Sequence, residues 1–219
     1  MEKAVTNAVV VLVAIAIAGV AGIGIGWGLG STVSGPSSAT QTTQTSLAGP
    51  KVYQLQLVEP MNTGWNMTTA QPKFFVVGPN GLESSANITL PVDTLIQVTI
   101  VSYDTPTAGS TDSMGVVNGT VGNVVYMING TTASMSSMPV PWGQNVTSVP
   151  GADLAHTFTV QGLGVNIPVV GGDTEIAYLY LTRPGTYIWL CQTPCGLGSD
   201  GLEGAMSTNG WMTGQITVR

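Results

Sequence analysis

The chain is poor in charge: Asp, Glu, Lys and Arg make up only 7% of its 219 residues. Eleven acids against five bases leave a formal net charge of −6, which speaks against a nucleic-acid partner, because no basic stripe can neutralise a phosphate backbone. Strong soft-metal donors are as scarce, with one histidine and two cysteines in all. No Ser-His-Asp order, no paired carboxylates at a motif, no phosphate-cradling loop and no dinucleotide fingerprint appears. Internal repeats and amphipathic soluble helices are missing too. What is plentiful is Gly (29), Pro (13) and hydrophobic residues (43%). That mixture describes a strand-and-turn protein with a real core rather than a helical or disordered one. Sparse charge also suits an acidic exterior, where protonated carboxylates lose their pairing value.

The length accommodates one membrane anchor and one domain. From Thr6 to Gly30 there is no charged residue, and Val9 to Ala18 is continuously apolar. About 20 apolar residues cross a bilayer, so residues 1–30 are expected to form a retained transmembrane helix. Ala18, Gly22, Gly26 and Gly30 recur at four-residue spacing and give that helix a flat face for packing against another membrane helix. Residues 31–50 hold no charge and little apolar surface, the composition of an extended Ser/Thr-rich linker. Sequons at Asn66, Asn87, Asn118, Asn129 and Asn145 all lie beyond the span and mark candidate N-glycosylation sites on an exterior domain. The expected topology is therefore single-pass in the cell membrane, with the N-terminus inside and residues 51–219 outside.

Alternation of apolar and polar residues predicts strands at Val52–Val58, Lys73–Val77, Ala86–Leu90, Leu95–Tyr103, Ile176–Thr182, Thr186–Leu190 and Thr213–Val218. About eight strands with turn signals between them make an all-β sandwich. Cys191 and Cys195 stand on the loop after Thr186–Leu190, and Met212 precedes the last strand. That segment, with its C-x3-C loop, resembles the copper A domain of the cytochrome oxidase subunit II family, whose loop reads roughly C-x-E-x-C-G-x-x-H-x-x-M. Cys191, Cys195, Gly196 and Met212 match; Thr193 stands for the Glu and Asn209 for the His, and the stretch from Cys195 to Met212 is about ten residues longer. Asp153-Leu154-Ala155-His156-Thr157-Phe158 is similar to the family's segment carrying its first copper histidine. Residues of about 104–153 have no counterpart in the family pattern and read as an insertion, a glycosylated excursion with one hairpin around Val124–Ile128. Its Met114, Met127, Met135 and Met138 suit a soft copper-delivery set or, more simply, gap filling in a small core.

The resemblance implies a cupredoxin-like Greek-key sandwich that docks on haem-copper oxidase subunit I, where haem and copper would reside, in contact with membrane lipid and the quinol pool. A binuclear copper A centre needs an imidazole on each metal, and this chain has one histidine. His156, Cys191, Cys195, Asn209 and Met212 therefore read as a vestigial pocket with no metal expected, and the cysteines as a disulfide in an oxidising exterior. Loss of the centre is what quinol-oxidising members of the family show. Two other readings stay open: an electron-transfer subunit keeping copper in an atypical ligand set, and a glycosylated surface sandwich with no redox role. Asp200 and Glu203, two acids in the Gly-rich loop, read as solvated.

Overall fold

The computed structural model describes residues 52–59, 64–66, 69–130 and 143–219. Residues Gly49–Arg219 form one compact unit. The expected membrane span, its Ala18, Gly22, Gly26 and Gly30 face, and the linker lie outside the described residues. Among those described, no helix is long and apolar enough to cross a membrane.

In chain order the strands are β1 (Tyr53–Glu59), β2 (Gly64–Asn66), β3 (Thr69–Ala70), β4 (Phe75–Gly78), β5 (Gly81–Ser84), β6 (Asn87–Leu90), β7 (Leu95–Ser102), β8 (Val125–Ile128), β9 (Gly143–Val146), β10 (Leu154–Val160), β11 (Val165–Val170), β12 (Thr174–Tyr180), β13 (Gly185–Leu190) and β14 (Thr213–Val218). Seven build one sheet in the order β5-β4-β1-β7-β12-β8-β9, and five build the second in the order β11-β10-β13-β14-β6. Two pairs are parallel, β1 with β7 and β6 with β14. The core lies between the sheets because each long strand buries alternate residues. Ile96, Val98 and Ile100 of β7 are inaccessible, and their neighbours on the other face are only partly covered. Facing them are Phe158, Ile167, Trp189 and Ile216 of the second sheet, all in one hydrophobic cluster. Trp189 stacks on Phe158 with centroids 5.4 Å apart and meets Phe74 edge-on at 5.9 Å. Its Nε1–H donates to Ser85 O at 2.9 Å, which satisfies the one polar atom of the ring.

Residues 104–153 hold the hairpin expected around Val124–Ile128, and it is part of the main sheet. Val125–Ile128 and Gly143–Val146 pair as a hairpin, and the first of these joins β12, so the insertion widens the main sheet. Met127 is buried beside Val149 and Leu154, with Met114 packed against them; these two methionines fill a core, while Met135 and Met138 lie outside the described residues. Asn166 on β11 holds the preceding loop, donating through Nδ2 to Met114 O and Val116 O at 2.9 and 2.8 Å. Every residue of β10 is buried as a result. One of its faces meets the core, and the insertion helps to cover the other.

Candidate metal centre

The site begins with an irregularity in β10. Leu154 pairs with Val170 and His156 with Val169, so Ala155 is an extra residue in the ladder. Such a bulge bends a strand and re-aims the side chain beside it. Here the Ala155 carbonyl accepts two hydroxyls, Thr107 Oγ1 at 2.7 Å from the insertion and Thr193 Oγ1 at 2.9 Å from the cysteine loop. His156, next in sequence, is wholly buried. Its Nε2 meets Asp104 Oδ2 at 3.2 Å, and its Nδ1 faces Cys191 Sγ at 3.9 Å. Phe74 closes one side of the ring, edge-on at 6.0 Å.

Cys191 follows β13 and is fixed by its N–H, which donates to Met212 O at 2.8 Å and extends the β13–β14 ladder by one rung. Its sulfur accepts the Thr157 N–H at 3.4 Å and lies 3.1 Å from Thr193 Oγ1. Cys195 returns through a tight turn, with Cys195 N donating to Thr193 O at 2.8 Å. The two sulfurs stand 3.5 Å apart as free thiols. A disulfide requires about 2.05 Å, so the expected Cys191–Cys195 bond is not formed in this structure. Cys195 Sγ instead sits between Cys191 and the Met206 thioether, 3.3 Å away. Burial opposes ionisation of Cys191, but the Cys195 thiol and the His156 ring next to it prevail and hold it well below the ordinary thiol range. Cys195 is pushed far up, first by its bond to Cys191 and then by burial.

The lengthened loop decides which residues join them. Between Cys195 and β14 the chain folds into a small hairpin, with Leu197 and Glu203 exchanging backbone hydrogen bonds at 2.9 Å. Gly201 makes the return possible: its φ is +69°, and a side chain there would strike Pro194 O. The buried Gln71 anchors the far end by accepting the Ala205 N–H at 3.1 Å. A short 3-10 turn at Gly204–Ser207 then presents Met206 to Cys195.

Asn209 is carried away from this arrangement. It is exposed, and its backbone bridges to Thr213, so the residue at the family's second histidine position is no ligand candidate. Met212 is fully buried in the core cluster, contributing its carbonyl to Cys191. Asp200 and Glu203 are exposed, as expected of solvated acids. Sequence reasoning missed Met206 and Asp104. The first is hidden by the folded loop; the second precedes His156 by 52 residues, and only its place at the start of the insertion hints at it. Of the sequons, Asn87, Asn118 and Asn145 are exposed, whereas Asn129 is partly buried.

His156, Cys191 and Cys195 bring one ligand atom each within 4.8 Å of one another, a spacing that could hold a metal ion. One imidazole, two thiols and a nearby thioether are the donor set of a single soft ion such as copper. They do not fit a binuclear copper A centre, which needs a second imidazole. Asp104 on Nε2 fixes the ring so that Nδ1 is turned to the sulfurs, the role an outer carboxylate plays at metal sites.

A two-sheet, all-β sandwich with a strand-borne imidazole meeting loop-borne sulfurs is cupredoxin-like. Within that class the chain is similar to cytochrome c oxidase subunit 2 of Thermus thermophilus, with 31% identity over 68 residues, 31% of this chain and 50% of that one. The match thus spans half the length of that curated relative. Among solved structures the chain aligns with a haem-copper terminal oxidase dimer at a TM-score of 0.37 and 16% identity, covering 100% of this chain and 98% of the other. It also aligns with the periplasmic domain of subunit II of cytochrome oxidase (CoxB) of Bradyrhizobium japonicum, at a TM-score of 0.33 and 11% identity, over 76% and 83% of the two chains. No protein-family model matches the chain. The subunit II likeness read from the sequence is supported by the curated relative.

Proposed function

We propose that this chain is subunit II of a membrane haem-copper terminal oxidase and that it lacks the family's binuclear copper A centre. The observation that carries this reading is the fate of the two ligand positions. His156 sits in the pocket with Asp104 behind it, while Asn209, at the second position, is turned to the surface. The pocket is also complete in itself: Asp104 partners His156, Cys195 partners Cys191, and Met206 covers Cys195. With electrons no longer entering through copper A, the donor would be a quinol from the membrane rather than a soluble cytochrome. The subunit would be held to subunit I by its Ala18, Gly22, Gly26 and Gly30 helix face, with the sandwich covering the exterior side. Haem and oxygen chemistry would belong to that partner.

A second reading is favoured by the convergence of four soft donors: one copper ion held by His156, Cys191, Cys195 and Met206. When bound, such an ion supplies one-electron transfer; the chain's part is to orient Nδ1 through Asp104 and keep the pocket dry behind Phe74. Copy number decides between the readings. Metal analysis of the mildly solubilised native complex, with a visible spectrum and a thiol count, is expected to find haem, no copper assignable to this subunit and two titratable or disulfide-linked cysteines. One copper per chain with thiolate-to-copper bands establishes the second reading, and two per chain overturn both. Purification without any haem-bearing partner would favour a surface sandwich instead.

A further inference from the structure

A second group of ligating atoms lies on the sandwich away from the cysteines, and its chemistry is the opposite. The hairpin β8–β9, the loop at 148–153 and the β11–β12 turn line an open cavity of about 460 Å³ with the exposed Gln144, Ser148 and Asp153 at its rim and Asn129 and Asp173 deeper in it. Asp173 is only 4% exposed. Its Oδ1 accepts the Gly130 N–H at 2.8 Å, which fixes the carboxylate against the end of β8. Its Oδ2 is buried without a hydrogen-bond partner, as is Oδ1 of Asn129, the residue before Gly130. Buried acceptors are nearly always paired, and an unpaired one in a native fold calls for water or an ion. Both orphans here accept, so whatever satisfies them must donate protons or carry positive charge.

Among the described residues no side chain supplies such a charge. Three basic residues fall among those described: Lys73 lies over the rings of Phe75 and Trp211, Arg183 donates to Gly162 O, and Arg219 ends the chain. None lines the cavity. Asp153 adds a second carboxylate, and burial together with that neighbouring charge pushes the Asp173 carboxyl up. Two carboxylates, two side-chain amides and a hydroxyl, all oxygen donors in a space with room for water, are what a hard divalent cation uses. The geometry points to a calcium-type cation site in this cavity, with Asp173 Oδ2 and Asn129 Oδ1 as ligands and Asp153, Gln144 and Ser148 completing the shell directly or through water. The ion would tie the inserted hairpin to the β11–β12 turn, and the site is independent of the cysteine pocket.

The test is calcium binding by the full chain, made in a host that does not glycosylate, solubilised in detergent and stripped with chelator. Equilibrium dialysis with calcium alone is expected to show one ion per chain, with a Kd on the order of 10⁻⁴ to 10⁻³ M, the range of exterior calcium modules. Asp173→Asn should weaken binding at least tenfold, and Asn129→Asp, which replaces an amide oxygen by a charged one, should tighten it. Absence of saturable binding, or wild-type affinity in a folded Asp173→Asn protein, overturns the site. Should Asp173→Asn fail to fold, Asn129→Asp decides: tighter binding supports the assignment, and unchanged or weaker binding overturns it.

Discussion

The cysteine pocket, built on β10 and the loop after β13, and the oxygen-lined cavity, built on β8–β9 and the β11–β12 turn, treat their polar atoms in opposite ways. In the pocket each donor has a protein partner: imidazole to carboxylate, thiol to thiol, thiol to thioether. In the cavity two buried oxygens are left over. Soft atoms tolerate such self-satisfaction because sulfur packs almost as an apolar group. Oxygen does not, since a buried unpaired acceptor forfeits its hydration. A pocket satisfied in this way stands without a guest, whereas the cavity's two oxygens are the ones a guest would satisfy.

The largest way to break this contrast is to remove the core aromatic two residues before Cys191. Trp189→Ala should cost about 3–5 kcal/mol, the usual cost of truncating a fully buried aromatic, because the ring is stacked on Phe158 and bonded to Ser85 O. Chemical denaturation would measure it, and calcium binding at native conditions should survive. Asp104→Asn is expected to be milder, roughly 1–3 kcal/mol for a hydrogen bond with a charged partner, read in the same assay. If a single copper ion is retained, that change should also lower its affinity about 10–100-fold.

Glu175 sharpens the comparison from the side of pH. It is buried on β12, accepts the Val170 N–H at 2.8 Å through Oε1, and leaves Oε2 unpaired. Burial raises its carboxyl well above the ordinary 4.5; the Val170 N–H and His156 oppose the shift, and Asp173 adds to it. The folded state therefore holds this proton more tightly than the unfolded chain, and stability falls as pH rises from about 4.5 toward the raised value. Melting temperature measured across that window should decline for the wild type and decline less for Glu175→Gln. Such behaviour fits a domain working in acid, as its sparse charge suggests. Smallest of all, Met206→Leu conserves volume and should change stability by under about 1.5 kcal/mol. A loss of copper, if copper is present, would identify the Met206 sulfur as a ligand rather than packing.

Much of the sandwich was legible because its long strands alternate. Val52–Val58, Leu95–Tyr103, Thr186–Leu190 and Thr213–Val218 lie within a residue of β1, β7, β13 and β14. The parallel pairings of β1 with β7 and β6 with β14 were not, since partners far apart in sequence leave no local signal. Nor was β9, whose Gly-Gln-Asn-Val has one apolar residue and lies at a sheet edge. At the site, His156 and the two cysteines could be read from motif spacing. The approach of Met206 to Cys195 could not, because a hairpin folded within a Gly-rich loop resets which residue faces inward.

The most direct test of the account is the copper content of the native haem-bearing complex together with its visible spectrum. The account predicts no binuclear centre: at most one copper ion per chain at His156, Cys191 and Cys195, and none of the absorption of a mixed-valence pair. Two coppers per chain with that absorption would contradict it, and would require a second strong ligand that the exposed Asn209 does not provide.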